Sequence, residues 1–126
     1  MELRWFAKSE YLCSCQRADC DAPKDLDPRL AASLDTFRES VNRPLVLTSA
    51  LRCRRHNAEV GGVADSQHLV GCAADIAVAN DAERDELLAH HYNRPTRLFA
   101  FVELAPHHLH VDVVSRGRPL LALGSG

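Results

Sequence analysis

His68 and Asp75 stand seven residues apart in the stretch Ser66-Gln67-His68-Leu69-Val70-Gly71-Cys72-Ala73-Ala74-Asp75, with glycine and small residues between them. This feature constrains the fold most. An imidazole and a carboxylate in such a setting read as two-thirds of a metal site, so the rest of the chain must fold to deliver a third ligand. The histidine-dense run Pro106-His107-His108-Leu109-His110-Val111-Asp112 offers one, with His110 heading a stretch of strand character. Two imidazoles and a carboxylate suit zinc with one position left open, the arrangement of a hydrolytic rather than a structural site. A zinc hydrolase is the expectation.

At 126 residues the chain fits one domain with a real core. The expected domain covers residues 1–123, with 1–25 as a cysteine-containing N-terminal segment and 124–126 as a flexible tail. A content of 46% hydrophobic and 25% charged residues is globular, and a net charge of -2 gives no reason to expect a nucleic-acid partner. Met1 to Glu10 lacks the apolar core of a signal peptide, and no run approaches the roughly 20 apolar residues of a membrane span. A cytoplasmic product, monomeric and without a membrane span, is expected.

Five cysteines is an odd count, so complete internal pairing is impossible. Cys13, Cys15 and Cys20 are clustered, and in a reducing compartment such spacing favours metal binding, with Cys53 as a fourth sulfur. A second, structural zinc on these four is one reading; free thiols or a disulfide is the other, since the spacing lacks paired C-x2-C knuckles. Cys72, between Gly71 and Ala73, reads as a small core residue.

Along the chain, residues 1–25 read as irregular, with Trp5, Phe6, Tyr11 and Leu12 as anchors and at most one helical turn at Ser9-Glu10. Asp27-Pro28 supplies an N-cap followed by proline at the first helical position, and Leu30, Leu34, Phe37 and Val41 recur at helical spacing, which predicts a helix over 28–41. Asn42-Arg43-Pro44 ends it. Leu45 to Ser49 reads as a buried strand, Ala50 to Asp65 as largely loop, and Ala73 to Val78 as a second strand. Asn80 or Asp81 can cap a helix through about His91, with Leu87 and Leu88 facing inward. Arg97 to Leu104 is a third strand and, after a turn at Pro106, His108 to Val114 a fourth. On that last strand His108, His110 and Asp112 share one face, and Leu109, Val111 and Val113 the other. Helices flanking a small, mostly antiparallel sheet make the fold α+β.

Ser49-Ala50-Leu51-Arg52, His56-Asn57, Gly61-Gly62, Ser66-x-His68-x-x-Gly71-x-Ala73-x-Asp75 and His110-Val111-Asp112 together resemble the zinc D-Ala-D-Ala carboxypeptidase family. That family groups with the L-alanyl-D-glutamate endopeptidases of phages and with the metal-binding fold of hedgehog signalling domains. The resemblance runs from about Leu45 to Val114. It is nearest to small phage-type members, which also show a cysteine-bearing N-terminal segment and an Arg-Cys step like Arg52-Cys53.

The resemblance implies a hedgehog/DD-peptidase-like fold in which His68, Asp75 and His110 bind zinc and Arg52 steadies a substrate carbonyl or carboxylate. A guanidinium can do either, holding a carboxylate bidentately or stabilising a developing oxyanion. Ser66 either hydrogen-bonds substrate, orients His68 or serves the turn. Two histidines compete as general base. Relatives place an acidic residue or histidine three positions before the last ligand, here His107, whereas hedgehog-like members place a histidine two before it, here His108. Strand alternation favours His108, because His107 needs a bulge or the strand end to turn it inward. Glu103 lies further back, in reach only if the loop folds over. Asp112 is expected to orient a neighbouring ligand rather than bind metal.

The expected activity is zinc-dependent hydrolysis of peptidoglycan stem peptides or cross-links, as a D,D-carboxypeptidase or an endopeptidase. The competing expectation is a non-catalytic zinc-binding module, structural or wall-recognising, as in a phage tail. A phage origin would let an unexported enzyme reach the wall, through lysis or as part of a virion.

Overall fold

The computed structural model describes residues 3–114 and 121–123. Its elements, in chain order, are α1 (Lys8–Tyr11), α2 (Pro28–Val41), β1 (Leu47–Ser49), α3 (Arg54–Glu59), a 3-10 turn (Gln67–Val70), β2 (Ala73–Ala77), α4 (Asp81–Tyr92), β3 (Phe101–Leu104), β4 (His108–Asp112) and β5 (Leu121–Leu123). The strands form one sheet in the order β1-β2-β4-β3-β5, antiparallel throughout except that β5 runs parallel to β3. The fold is α+β. The tail expected at 124–126 lies outside the described residues.

Helix α2 forms where its caps and its apolar stripe agree. Asp27 accepts a hydrogen bond from the Arg29 N–H at 2.9 Å, Pro28 opens the first turn, and Asn42 closes the helix in the left-handed region at φ 60°. Its Leu30, Leu34 and Phe37 are fully buried against the sheet, in one cluster with Ala74 and Ile76 of β2, Val102 of β3 and Leu109 and Val111 of β4. Phe37 meets Phe99 edge to face at 5.5 Å. Helix α4 is capped by Asn80, whose side chain accepts from the Glu83 N–H at 2.9 Å, and it buries Leu87 and His91 while Leu88 is partly covered.

Because α2 and its neighbours cover one face of the sheet, alternation leaves the other face for polar groups. In the β2–β4 ladder Ile76 lies opposite Leu109 and Ala74 opposite Val111 on the core side, so Asp75 opposite His110 and Ala73 opposite Asp112 fall on the other.

Several expected boundaries move. Strand β1 begins at Leu47 rather than Leu45, and its register shifts between Leu47, opposite Ile76, and Ser49, opposite Asp75. One extra residue in a strand flips the next side chain to the opposite face, so Ser49 joins Asp75 instead of following Leu47 into the core. The stretch expected as loop after Ala50 contains α3. That helix has no apolar periodicity to announce it; its buried residue is Asn57, and its N-cap is the Cys53 sulfur, 3.4 Å from the His56 N–H. The third strand is shorter than expected, because only the Ala100 N–H, bonded to Asp112 O, extends its ladder and the backbone before it bonds elsewhere: Leu98 O accepts from Ser33 Oγ, and the Phe99 N–H donates to His91 Nε2. Strand β5 was not anticipated.

Of the four expected anchors in the N-terminal segment, Phe6 and Tyr11 are buried, whereas Trp5 and Leu12 are exposed. The Trp5 indole lies on the surface under the Arg38 guanidinium, 4.5 Å from the ring centroid, and donates its N–H to Glu39 at 3.0 Å. An amphipathic ring with a cation over its face and an acceptor at its edge has no need of the core.

Candidate metal centre

Ser66, Gly71 and the β2–β4 register together place the ligand candidates. Ser66 caps the 3-10 turn by accepting from the His68 N–H at 3.2 Å, and Gly71 ends the turn at φ 76°. A side chain at Gly71 would suffer that backbone conformation and would also sit 3.1 Å from Asp25 O. The turn thus throws His68 inward and returns the chain into β2, where Asp75 faces the same side. His110 arrives from β4, directly opposite Asp75.

The three donor groups lie within 4.8 Å of one another. Asp75 Oδ1 is 3.2 Å from His68 Nε2 and 2.9 Å from His110 Nδ1. Ligands about 2.0–2.1 Å from a tetrahedral zinc are separated by about 3.3 Å, so the set fits that ion without rearrangement of the backbone. The outer nitrogens fit too. His68 Nδ1 is 2.7 Å from the Ala50 carbonyl, which only accepts, so Nδ1 carries a proton and Nε2 is the nitrogen left to face a metal. His110 Nε2 is 3.1 Å from Asp112 Oδ2, which does the same for the second imidazole. Asp112 is fully buried, and its other oxygen accepts from the Val114 N–H.

Ionisation follows from this geometry. Burial opposes the charged form of both Asp75 and His110, but hydrogen bonds outweigh it. Those from His110 and His68 hold Asp75 well below the usual carboxylate range, and those to Asp112 and Asp75 push His110 up to about 9.

Arg52 adjoins the three. Its Nε donates to Ser49 Oγ at 2.9 Å, one terminal nitrogen to Asn57 Oδ1 at 3.1 Å and the other to Asp75 Oδ2 at 3.2 Å. The β1 bulge supplies the first partner and α3 the second. Asn57, quoted in the sequence but given no role there, also donates to Val63 O at 2.8 Å, which ties it down. Gly62 is what lets these groups meet: a Cβ on it would fall 2.1 Å from Asn57 Oδ1 and 3.1 Å from the Arg52 guanidinium.

The cluster opens onto a cleft of about 390 Å³. Arg52, Ser66, His68, Asp75, Glu103, His108 and His110 line it, with Val60, Val63 and Phe101 as apolar walls. A second cavity of about 490 Å³ shares Arg52, Ser66 and Gln67 with the first. His108 Nε2 lies 3.8 Å from Asp75 Oδ2. His107 is exposed, its carbonyl accepts from the Val78 N–H, and alternation directs its side chain away from the face that carries His110. Glu103 needs no folded-over loop. The β3–β4 register sets it directly opposite His110, on the cleft side. Only strand pairing reveals that neighbour, which the linear order of residues hides.

Cys13, Cys15, Cys20 and Cys53 also converge, as a separate cluster with sulfurs within 4.8 Å of one another. Cys72 is buried, as expected of a small core residue.

No curated protein matches the chain. A family model described as Peptidase M15 matches residues 5–112, a span that takes in every residue of the histidine–aspartate cluster and of the arginine bracket beside it. The chain therefore belongs to the peptidase M15 family.

Proposed function

We propose that this protein is a zinc-dependent peptidase that cleaves the short peptides of bacterial peptidoglycan, as a D,D-carboxypeptidase or an endopeptidase. The observation that carries the reading is the convergence of His68 Nε2, Asp75 Oδ1 and His110 Nδ1 on one point at the floor of an open cleft, beside the Arg52 guanidinium. A structural zinc site would be enclosed by a fourth protein ligand, whereas three donors facing a cleft leave room for water or substrate. Zinc held by these residues supplies Lewis-acid polarisation of the scissile carbonyl and activation of water.

The chain's own groups do the rest. Three of the five N–H donors of Arg52 hold the guanidinium in place, and the remaining two serve a substrate carboxylate or a developing oxyanion. His108 takes the proton of the attacking water at its imidazole and returns it to the leaving amine nitrogen, and Glu103 lines the same cleft. The apolar walls from Val60, Val63 and Phe101 suit small side chains such as alanine's. Action on the wall after phage lysis, or as part of a virion, belongs to the same proposal.

Mass analysis of muropeptides after incubation with purified sacculi tests it. New free termini are expected, and they should disappear with a chelator or with His68→Ala. Sacculi bound but left uncut would make the protein a recognition module instead.

A further inference from the structure

The segment between Tyr11 and Ala22 has no apolar reason to be ordered. Leu12 is exposed, and none of residues 12–21 is buried, yet the chain folds back compactly there and holds Gln16 at φ 58°, a backbone conformation that costs a side-chain-bearing residue energy. What gathers at its centre is sulfur. Cys13, Cys15 and Cys20 come from the segment itself and Cys53 from the chain just before α3, with all four sulfurs within 4.8 Å of one another. Cys53 Sγ is 3.8 Å from Cys15 Sγ, and four sulfurs at about 2.3 Å from a tetrahedral zinc would be about 3.8 Å apart.

We propose that Cys13, Cys15, Cys20 and Cys53 hold a second, structural zinc ion, distinct from the His68–Asp75–His110 set, which clasps the N-terminal segment onto the start of α3 next to Arg52. Four thiolates form a closed tetrahedral set with no position for water, which is the structural rather than the catalytic pattern. Four S–Zn bonds form as four S–H protons pass to solvent, with no change of oxidation state.

The surroundings fit a cluster of net charge -2. The Cys53 backbone N–H points at Cys13 Sγ and the His56 N–H at Cys53 Sγ, both at 3.4 Å. Arg17 lies alongside, and its fork onto Glu59, with one bond of 2.6 Å, ties the same segment to α3. Two further pairs, Arg54 with Asp21 and Arg55 with Asp19, run between the same two pieces of chain. Exposed ion pairs of this kind contribute little by themselves. The metal supplies the cross-link that a hydrophobic core would otherwise provide.

Zinc content and cobalt spectroscopy on the whole chain, purified under reducing conditions, test this. Two zinc ions per chain are expected in the wild type and one in His68→Ala. Cobalt-loaded His68→Ala should show the intense thiolate-to-cobalt charge-transfer absorption of a four-sulfur set, a readout that leaves all four cysteines intact. Cys20→Ser should lose one zinc and show faster hydrogen exchange over residues 12–21. Absence of the charge-transfer band, or a Cys15–Cys53 disulfide trapped by alkylation in the same preparation, overturns the proposal. A chain carrying only sulfur-bound metal sinks the peptidase reading and leaves this one standing.

Discussion

Asp75 and His110 face each other across the β2–β4 ladder, with Oδ1 of one 2.9 Å from Nδ1 of the other. An antiparallel pair in register is among the most rigid ways to hold two ligands, because shifting either one requires slipping the whole strand. The geometry of the candidate metal site is thus built into the sheet, and the remaining groups are attached to it.

Asp112 acts through His110. Replacing it with asparagine leaves the shape intact and removes the charge that fixes the imidazole, so zinc affinity should fall roughly 10–100-fold while the fold persists. A chelator-competition titration of Asp112→Asn measures this, and an unchanged affinity would contradict the assigned role.

Gly62 controls Arg52 at one remove. In Gly62→Ala the new methyl must displace Asn57 Oδ1, now 2.1 Å from where it would sit, and Arg52 loses that partner. Peptidase turnover should drop, by roughly 100-fold if the arginine is freed completely, with zinc content unchanged. Arg52→Lys, which removes the fork but keeps the charge, should behave similarly. Parallel measurements of kcat and metal content decide the matter.

The two adjacent histidines should differ. His108→Ala is expected to cut turnover about 100-fold or more, as loss of a proton-transfer group does, and His107→Ala to leave it nearly intact. Equal losses in the two variants would mean that the strand end turns over during catalysis.

Metal binding should depend on pH with a definite sign. His110 must give up a proton at Nδ1 to bind zinc, and its pKa is pushed up to about 9 in the metal-free protein. Affinity should therefore climb with rising pH and level off near that value. Stability of the metal-free protein should move the other way. A histidine pKa raised above its unfolded value near 6.5 gives stability that is complete below that value and lost as pH rises through about 9. Asp75, whose pKa is lowered, adds stability that is present above the usual carboxylate range and lost in strong acid. Urea titrations at several pH values, with and without zinc, test both limbs.

Phe37 anchors α2 to the core at zero exposure. Phe37→Ala should cost about 3–5 kcal/mol, counting both lost burial and the cavity left behind, and a chemical denaturation midpoint well below the wild type's would register it. A cost under about 1 kcal/mol would mean the core collapses into the space.

Sequence alone determined the parts of this protein whose cause is local. The Asp27-Pro28 cap with its apolar stripe marks α2 to the residue, and the alternation from His108 onward assigns His110 and Asp112 to one face, because side-chain direction in helices and strands is periodic. The grouping of His68, Asp75 and His110 was legible as a pattern of residue types resembling a family, and the distances between them were not. Tertiary structure decided the remainder. The β1 bulge that turns Ser49 toward Arg52 and the register that sets Glu103 opposite His110 depend on which segments pair. Pairing is settled by burial of the whole core at once, and a linear string of residues carries no local mark of it.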